Sequence, residues 1–356
     1  MFSIFSKGFN PDKDLQDLTG KVVIVTGGNA GIGFATVEHL LKHGAKVYIG
    51  ARSEEKAQAA IERLKANGPN SGEVQYLNLD LSDVTKAKAS AEHVLSNETR
   101  LDILINNAAQ TLIPYGKSYH GMQCFTSAVI VSSKSLTIDI QDIMVVNYLS
   151  PVIFTHTLLP LMTKTASEAN ADVRIVNVAS GSPIAVKSGA RFRNIDDFNL
   201  EYANALLPKF TRYGLSKLAL ISWSKELQRR LVAEDIPIIV TSLNPGGVHT
   251  DGNKAFAAQQ NFVVKNLFLL LSYSAFPSPT KGAYPSIIAA ASPEVRANSK
   301  AYMGAYLEPS GKIGKSNSPT ADCCNEELSQ ELWITTEGIL KDIGVLEGDH
   351  LQIIQN

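Results

Sequence analysis

The chain lacks several features that would place it in a common class of protein. Its 356 residues include only three cysteines, Cys124, Cys323 and Cys324. Three cysteines, two of them adjacent, provide neither a disulfide framework nor a zinc-binding spacing, and they fit a reducing compartment. The formal net charge is −1, so no basic excess indicates a nucleic-acid partner. We therefore expect a cytoplasmic protein that binds neither a metal nor nucleic acid.

Long apolar runs are also missing. The longest, near residues 262–276, contains Lys265 and is shorter than the about 20 apolar residues that a membrane-spanning helix needs. Residues 1–10 have one lysine and no long apolar core, so we predict no signal peptide. An apolar helix face at 262–276 leaves peripheral membrane contact open as an alternative to a purely cytoplasmic location.

What the sequence does have is a strand, a glycine turn and a helix near its N-terminus. Residues 21–26 are a short apolar, β-branched run typical of a buried parallel strand, and residues 34–42 follow a helical pattern. Such a turn aims helix N-terminal amides at a pyrophosphate. The spacing G-x-x-x-G-x-G differs from the G-x-G-x-x-G fingerprint, so a glycine turn without a ligand is the alternative for this segment alone. The turn residues that we predict to bind a dinucleotide are Gly27, Asn29, Gly31, Ile32 and Gly33.

The end of the next predicted strand indicates which dinucleotide is bound. Residues 46–50 lead into Ala51-Arg52-Ser53, where an acidic residue would bind the ribose 2′-hydroxyl of NAD. The guanidinium of Arg52 can instead pair with a 2′-phosphate at two points. The sequence therefore favours NADP(H) over NAD(H). A solvated loop charge at Arg52 is the alternative, and Glu54 keeps NAD open.

Polar residues follow the third and fourth predicted strands as well. Residues 73–79 lead into Asp80, which we predict to lie beside the adenine. Residues 101–105 lead into Asn106-Asn107-Ala108-Ala109, where the alanines leave room for a cofactor and Asn107 offers polar contacts. Alternatives remain for both sites, because Asp80 could cap the helix that begins near Ser82 and the asparagines could form a turn.

A tyrosine and a lysine one helical turn apart predict acid–base chemistry. Tyr213 and Lys217 are four residues apart in a helical pattern, which places both on one face. A free phenol titrates near pH ~10, and a neighbouring cation can lower such a pKa by about 1–3 units. Tyr213 is therefore predicted to act as an acid or a base. A purely structural helix face is the alternative for the pair taken alone.

Together these motifs resemble the short-chain dehydrogenase/reductase family over about residues 18–340. Three further segments match the family pattern: Asn147 in a helix, Ser180 after the fifth strand, and the loop 245–250, which includes Val248 and Thr250. The resemblance implies that Val248 and Thr250 touch the nicotinamide part of the cofactor. It also implies that the catalytic residues are Asn147, Ser180, Tyr213 and Lys217.

Each catalytic residue has a role by resemblance. Tyr213 would exchange a proton with the substrate oxygen, and Ser180 would hydrogen-bond that oxygen and the developing alkoxide. Lys217 would lower the pKa of the Tyr213 phenol and, like Tyr213, contact the nicotinamide ribose. Asn147 would hold a water that links Lys217 to solvent.

The predicted fold is α/β, with a doubly wound, Rossmann-like parallel sheet. We expect a single domain over residues 1–356, with a core at about 18–305 and a C-terminal helical extension at about 306–356. In the second half of the chain we predict helices at 138–164, 211–232, 280–291 and 325–343, and strands at 171–178, 236–243 and 301–305. An unexplained loop at 119–136 exceeds the usual connection lengths.

Residues 181–208 form an insertion between Ser180 and Tyr213 that compact family members lack. This insertion, the segment 307–312 and the terminal helix resemble the retinol-dehydrogenase-like subgroup. Loops at the carboxyl ends of parallel strands choose the substrate, and by resemblance 262–276 is a lid over the pocket. The two segments predict a bulky, lipophilic alcohol or carbonyl; mere coverage of the core is the alternative.

The predicted function is that of an NADP(H)-dependent oxidoreductase transferring a hydride between nicotinamide and a small lipophilic alcohol or carbonyl. A catalytically silent NADP(H)-binding regulatory or scaffold protein is the alternative, although no catalytic residue is lost. An epimerase or dehydratase of the longer branch of the family would have a different glycine spacing and a larger C-terminal region. The resemblance also implies a homodimer formed through the helices at 138–164 and 211–232.

Overall fold

The computed structural model describes residues 8–67, 71–120, 138–248 and 278–346, and in this part of the chain a seven-stranded parallel sheet forms the centre. A separate two-stranded antiparallel sheet lies beside it. The strands of the large sheet, in the order β3-β2-β1-β4-β7-β8-β9, confirm the predicted doubly wound arrangement. The strands are β1 (Val22–Thr26), β2 (Lys46–Ala51), β3 (Glu73–Asn78), β4 (Ile103–Asn106), β5 (Lys117–His120), β6 (Ile138–Gln141), β7 (Val173–Val178), β8 (Ile238–Leu243) and β9 (Tyr306–Leu307).

Helices cover both faces of the large sheet. One apolar core lies under α4, α5, α7 and α12, and the other lies under α2, α3 and α9. The helices are α1 (Pro11–Asp14), α2 (Gly31–Lys42), α3 (Glu54–Ala66), α4 (Val84–Asn97), α5 (Asp142–Ala166), α6 (Ile195–Phe198), α7 (Pro208–Ala233), α8 (Pro279–Gly282), α9 (Tyr284–Ala291), α10 (Pro293–Ala297), α11 (Ser299–Tyr302) and α12 (Glu326–Asp342).

Burial on both faces explains the continuous apolar runs of the strands. In β1, Val22 and Ile24 face one core while Val23 and Val25 face the other. Successive side chains of a strand point to opposite faces, so both sets must be apolar. Polar caps mark several helix starts; the Asn325 side chain, for example, accepts from Leu328 N at 3.1 Å before α12.

The order of the strands places a crevice where a ligand can bind. Strand β1 lies between β2, on one side, and β4, on the other. The chain therefore reverses its direction of winding between these neighbours, and the loops after β1 and β4 separate at the carboxyl edge of the sheet. Open α/β sheets bind ligands at this switch point.

The start of the long helix predicted at 138–164 was wrong. Residues Ile138–Gln141 form β6, which pairs with β5, and α5 begins at Asp142. The sequence Ile-Asp-Ile-Gln alternates apolar and polar residues, which is a strand period rather than a helical one. The Asn199 side chain holds this strand, because it donates to Asp139 O at 2.8 Å and accepts from Gln141 N at 2.8 Å.

Two further predictions near the C-terminus need correction. The strand expected at 301–305 is instead the end of α11, followed by a turn at Gly304 with φ +71°; the strand is Tyr306–Leu307, one position after that segment. The helix expected at 280–291 is split into α8 and α9, because Pro285 has no N–H to donate back to the preceding turn. The loop predicted at 119–136 lies outside the described residues from residue 121 on, and so does the whole segment predicted as a lid at 262–276.

Helix α5 is long and apolar enough to cross a membrane by composition alone, with a mean hydropathy of 1.4 in its most apolar window. In the fold, 83% of that window is buried inside the protein. Its apolar character is thus explained by its position between α4 and the sheet.

Candidate active site

Two adjoining cavities open at the carboxyl edge of the sheet. One, of about 250 Å³, runs from the turn after β1 to the ends of β2 and β3. The other, of about 340 Å³, runs from the same turn to α7. Gly27, Ala108 and Ala109 line both cavities. The two cavities therefore form one elongated cleft, which we call the dinucleotide cleft.

The glycine turn forms the middle of this cleft and fits a pyrophosphate. Gly27 and Gly31 have φ values of +66° and +56°, which L side chains rarely adopt. A Cβ on Gly33 would lie 2.6 Å from Asn107 Nδ2 and closer still to the carbonyl oxygen of Gly27. Helix α2 begins at Gly31 with no side-chain cap and no acidic residue in its first turn. Its free N-terminal amides thus remain available to an anionic group.

The side-chain amide of Asn107 bonds the backbone of the glycine turn and is therefore not free to bind a ligand. Its Nδ2 donates to Thr26 O at 2.8 Å, and its backbone N donates to Thr26 Oγ1 at 2.9 Å. The side chain borders the cleft, as predicted, but its amide protons are directed at the backbone. Its interaction therefore fixes the end of β1 against the end of β4.

Arg52, Asp80 and Asn29 line the other end of the cleft. Arg52 is exposed and has no ion pair with any described residue. Asp80 Oδ1 accepts from Ser82 N at 3.0 Å and from Ser82 Oγ at 2.7 Å. Burial raises the pKa of the Asp80 carboxyl, but bonds from Ser82 and Lys86 outweigh it and leave the pKa below its usual value. Helix α4 is capped by Asp83, not by Asp80.

Tyr213 and Lys217 lie together at the α7 end of the cleft, as their spacing predicts. Lys217 Nζ lies 5.8 Å from the centre of the Tyr213 ring and donates to Val178 O at 2.8 Å. Ser180 hydrogen-bonds the Tyr213 hydroxyl. The end of β7 and the first turns of α7 thus bring three of the predicted catalytic residues into one group.

Burial governs the ionisation of this group. It raises the pKa of the Tyr213 phenol to about 12, and the hydrogen bond with Ser180 only partly opposes that rise. Burial also lowers the pKa of Lys217 to about 7. The expected lowering of the phenol pKa by Lys217 is therefore not seen, because the loss of solvent around Tyr213 dominates.

Asn147 lies behind the cleft, in a π-helical turn at Val145–Leu149 within α5. Its Oδ1 accepts from Gln110 N at 2.8 Å, and its Nδ2 donates to Gln110 O at 2.9 Å and to Ser216 Oγ at 3.0 Å. Ser216 Oγ in turn donates to Tyr213 O at 2.8 Å. Asn147 thus ties the loop after β4 to the catalytic helix, while its water-holding role stays a prediction.

Comparison with known proteins decides the family. A model of the short chain dehydrogenases matches residues 21–189. A short-chain dehydrogenase/reductase of Armillaria gallica is 40% identical over 331 residues, which cover 93% of this chain and 96% of that protein. This chain belongs to the short-chain dehydrogenase/reductase family. Family membership makes it an oxidoreductase that acts on CH–OH or carbonyl groups of small molecules and binds NAD(P)(H).

Solved structures share the short-chain dehydrogenase/reductase fold. An uncharacterized protein from Mycobacterium Paratuberculosis has a TM-score of 0.61 at 23% identity, with 94% of this chain and 98% of that chain covered. The Pseudomonas aeruginosa RhlG/NADP active-site complex has a TM-score of 0.53 at 25% identity, with 83% and 96% covered. Both likenesses support the arrangement of the sheet and the single domain.

Not every predicted residue of the short-chain dehydrogenase/reductase site lines the cleft. Val248 is buried and packs against Gly282, where an added Cβ would lie 2.6 Å from Val248 Cγ2. Thr250 lies outside the described residues. Within the described ranges, no group of three His, Cys, Asp or Glu residues could hold a metal ion.

Two residues of the site were missed from the sequence. Ser182 N donates to Ser180 Oγ at 3.1 Å, which occupies one lone pair of that oxygen and orients the hydroxyl that bonds Tyr213. Gln110 lines the cleft and holds Asn147 through its backbone. A serine two residues after Ser180 is a local turn signal that could have been recognised; the partner of Gln110 is 37 residues away along the chain and gives no such signal.

Proposed function

We propose that this chain is an NADP(H)-dependent short-chain oxidoreductase with Tyr213 as its acid and base. It would transfer a hydride between nicotinamide and a lipophilic alcohol or carbonyl substrate. The observation that supports this most strongly is the grouping of Tyr213, Lys217 and Ser180 at one end of the dinucleotide cleft. The glycine turn and the free amides of α2 fit the pyrophosphate at its middle.

The mechanism follows from what these side chains can donate. Ser180 Oγ accepts from Ser182 N, and its proton, which bonds the Tyr213 hydroxyl, would turn to a substrate carbonyl oxygen placed between the two side chains. Tyr213 donates a proton to that oxygen in reduction, or removes it in oxidation. When bound, the nicotinamide supplies or accepts the hydride. Lys217, held by Val178 O, has further protons for the nicotinamide ribose.

Burial supports the reducing direction for this mechanism. With a pKa of about 12, the Tyr213 phenol is protonated at neutral pH. A protonated phenol is the form that delivers a proton to a carbonyl, whereas oxidation needs the phenolate. The enzyme is therefore proposed to act as a carbonyl reductase at neutral pH, with oxidation favoured as pH rises.

Arg52 supports NADP(H) as the cofactor. It is exposed, lines the cleft beside Asp80 and Ser82, and has no ion pair among the described residues. A guanidinium in this position is free to pair with a 2′-phosphate. The neighbouring Ser53 Oγ accepts from Lys56 N at 3.3 Å to cap α3, so its acceptor role is taken up by the helix. The related RhlG structure contains NADP.

Three exposed apolar side chains support a lipophilic substrate and the retinol-dehydrogenase-like subgroup. Ile184, Leu206 and Leu207 belong to the insertion, and their exposed fractions are 69%, 95% and 60%. Ile184 follows Ser180 by four residues, and Leu206 and Leu207 immediately precede the catalytic helix α7. Exposed apolar surface on segments that adjoin the catalytic residues along the chain suits an apolar ligand. We extend the proposal to a cytoplasmic enzyme whose same surface makes peripheral membrane contact.

The test is reduction of a carbonyl panel by the purified chain. With NADPH and decanal, benzaldehyde or acetophenone, we expect oxidation of NADPH at 340 nm that Tyr213→Phe abolishes while NADPH binding is retained. Tyr284→Phe is the matched control, because it removes a hydroxyl from a ring that packs against Phe9 away from the cleft. Equal turnover by Tyr213→Phe would contradict the mechanism. Tight NADPH binding without turnover of any carbonyl would favour a silent binding protein.

A further inference from the structure

The C-terminal helix α12 covers the catalytic helix α7. The chain's two tryptophans, Trp223 on α7 and Trp333 on α12, stack with ring centres 6.3 Å apart and an interplanar angle of 11°. The guanidinium of Arg230 lies 4.3 Å from the Trp333 ring. Leu332 and Leu340 of α12 are fully buried in the same core. This packing buries the flank of α7 that carries Trp223 and Arg230 against α12.

The two long helices consequently have almost no apolar surface left for a second copy of the chain. Among the described residues, the exposed large apolar side chains include none on α5 and only Val232 on α7. A stable interface between subunits buries about 1,200–2,000 Å² and has an apolar centre. Pairing of two copies through α5 and α7, which the family resemblance implied, would lack such a centre.

Helix α12 also holds the insertion on the substrate side. Glu331 accepts from Arg191 Nε at 2.9 Å, from Arg191 Nη2, and from Phe192 N at 2.6 Å. These bonds lower the pKa of the Glu331 carboxyl, chiefly through Arg191. Just before α12, Asp322 Oδ2 accepts from Gly189 N at 3.0 Å. The insertion is thus anchored to α12 by charge-assisted bonds, which are stronger than neutral ones.

A second contact connects α12 to the catalytic residues themselves. The hydroxyls of Tyr148 and Thr336 are 2.8 Å apart, and Tyr148 follows Asn147 in the π-helical turn. Phe198 of the insertion packs between Tyr148 and Phe192, with ring centres at 6.1 Å and 5.5 Å. A displacement of α12 would therefore also displace the insertion and the turn that carries Asn147.

We propose that α12 acts as an intramolecular partner that replaces a second subunit: it packs along α7 through Trp333 and fixes the insertion through Glu331, so that the working enzyme is a monomer. Glu331 is then a positioning residue for the carbonyl substrate. The inference rests on the proposed function for its kinetic part only. The monomeric state and the anchoring of the insertion are independent of which substrate is used.

The experiment compares the full chain with Glu331→Gln. Light scattering of wild type should give the mass of one chain, and the mass of two would overturn the proposal. With the best carbonyl of decanal, benzaldehyde and acetophenone, Glu331→Gln should raise KM about 5- to 10-fold through loss of the charge-assisted bonds. The NADPH Kd should stay unchanged, because no part of α12 lines the dinucleotide cleft. An unchanged KM would overturn the positioning role.

Glu327→Gln is the matched control, since Glu327 lies one turn earlier on α12 and has no bond or ion pair among the described residues. Amide hydrogen exchange gives a readout without a substrate: residues 189–193 should exchange faster in Glu331→Gln and as in wild type in Glu327→Gln. Equal exchange in all three proteins would also overturn the anchor. Arg191→Gln, at the more exposed end of the pair, repeats the test if Glu331→Gln does not fold. Absence of carbonyl turnover in wild type would count against the proposed function, and the exchange result would still decide the anchor.

Discussion

Burial keeps the Tyr213 phenol neutral at pH 7 and leaves Lys217 only partly protonated. The sequence predicted an ammonium beside a phenol whose pKa it lowers, but enclosure of both groups reverses the balance between charge and solvation. The pKa of Tyr213 rises to about 12 and that of Lys217 falls to about 7. Lys217 is 2% exposed, and among the residues that the structure describes its acceptor is the uncharged Val178 carbonyl. Burial of Lys217 therefore lowers the free energy of unfolding, and a bound anionic dinucleotide can offset that loss by stabilising the ammonium.

Lys217→Met should reveal the cost of burying this lysine, because the variant should gain more stability relative to wild type at pH 7 than at pH 9. The folded pKa of about 7 lies below the unfolded value of 10.5. Between these values the unfolded chain binds more protons, so wild-type stability rises with pH. The variant lacks this pH-dependent contribution of Lys217 to the free energy of unfolding. Its free energy of unfolding relative to wild type should therefore be about 2 kcal/mol higher at pH 7 than at pH 9.

Urea unfolding without cofactor at the two pH values measures this difference. Lys65→Met is the control, because its exposed ammonium pairs, within the described part of the chain, with Glu62 on the surface of α3. A difference for Lys217→Met that is larger at pH 9 than at pH 7 would show that Lys217 is charged in the folded protein.

Arg52→Gln should change the choice of cofactor. Loss of a guanidinium that binds a phosphate at two points should raise the NADPH Kd about 10- to 100-fold, while the NADH Kd stays within about twofold. Fluorescence titration of both dinucleotides measures this. Lys56→Gln, which removes another exposed charge at the start of α3, should leave both Kd values unchanged. An equal loss of affinity for NADPH and NADH would show that Arg52 does not bind the 2′-phosphate.

At the scale of single elements, the N-terminus of α2 depends on the absence of a side chain. Gly33→Ala would place a Cβ 2.6 Å from Asn107 Nδ2 and nearer to Gly27 O, so the turn and the end of β4 must separate. We expect about 1–3 kcal/mol of destabilisation and loss of dinucleotide binding. Gly338→Ala is the converse control, because nothing lies within 4 Å of its added Cβ in α12. It should stabilise by up to about 1 kcal/mol.

Thermal unfolding and NADPH titration of both glycine variants give the result. If Gly33→Ala bound NADPH as tightly as wild type, the turn would be adaptable and the close packing of α2 against β1 would not be required.

Helix α5 contains a π-helical turn that the periodicity of the sequence does not predict. Its apolar sequence predicted a helix, and the structure confirms one, but no periodicity marks the five-residue π turn at Val145–Leu149. The hydrogen bonds of Asn147 stabilise this π turn, because its side chain bonds Gln110 and Ser216. Those partners are far away in sequence, so only the folded chain can show why Asn147 faces them.

At the scale of the whole molecule, the sequence predicted what local patterns encode. The sheet follows from short apolar, β-branched runs, the glycine turn from glycine spacing, and the pairing of Tyr213 with Lys217 from the helical period of 3.6 residues. The contacts of α12 do not, because Glu331 and Arg191 are 140 residues apart and Trp333 meets Trp223 across a similar gap. Its docking is decided by side-chain fit between distant segments, which carries no local signal.

This docking makes a final prediction about cooperativity. If residues 18–305 and the C-terminal extension form one domain, as we propose, removing the Trp333 side chain should weaken the entire fold. Trp333 is 2% exposed between Trp223 and Arg230, so Trp333→Ala should cost about 3–5 kcal/mol. Ile334→Ala, next along α12 and 66% exposed, should stay within about 0.5 kcal/mol of wild type.

Urea unfolding followed in parallel by far-ultraviolet circular dichroism and by NADPH binding tests whether the loss is shared. One domain requires that both signals shift together to lower urea in Trp333→Ala, because the dinucleotide cleft and α12 then unfold in the same transition. An early circular dichroism change with NADPH binding retained would mean that α12 detaches on its own. The extension would then be a separate folding unit resting on the catalytic helix.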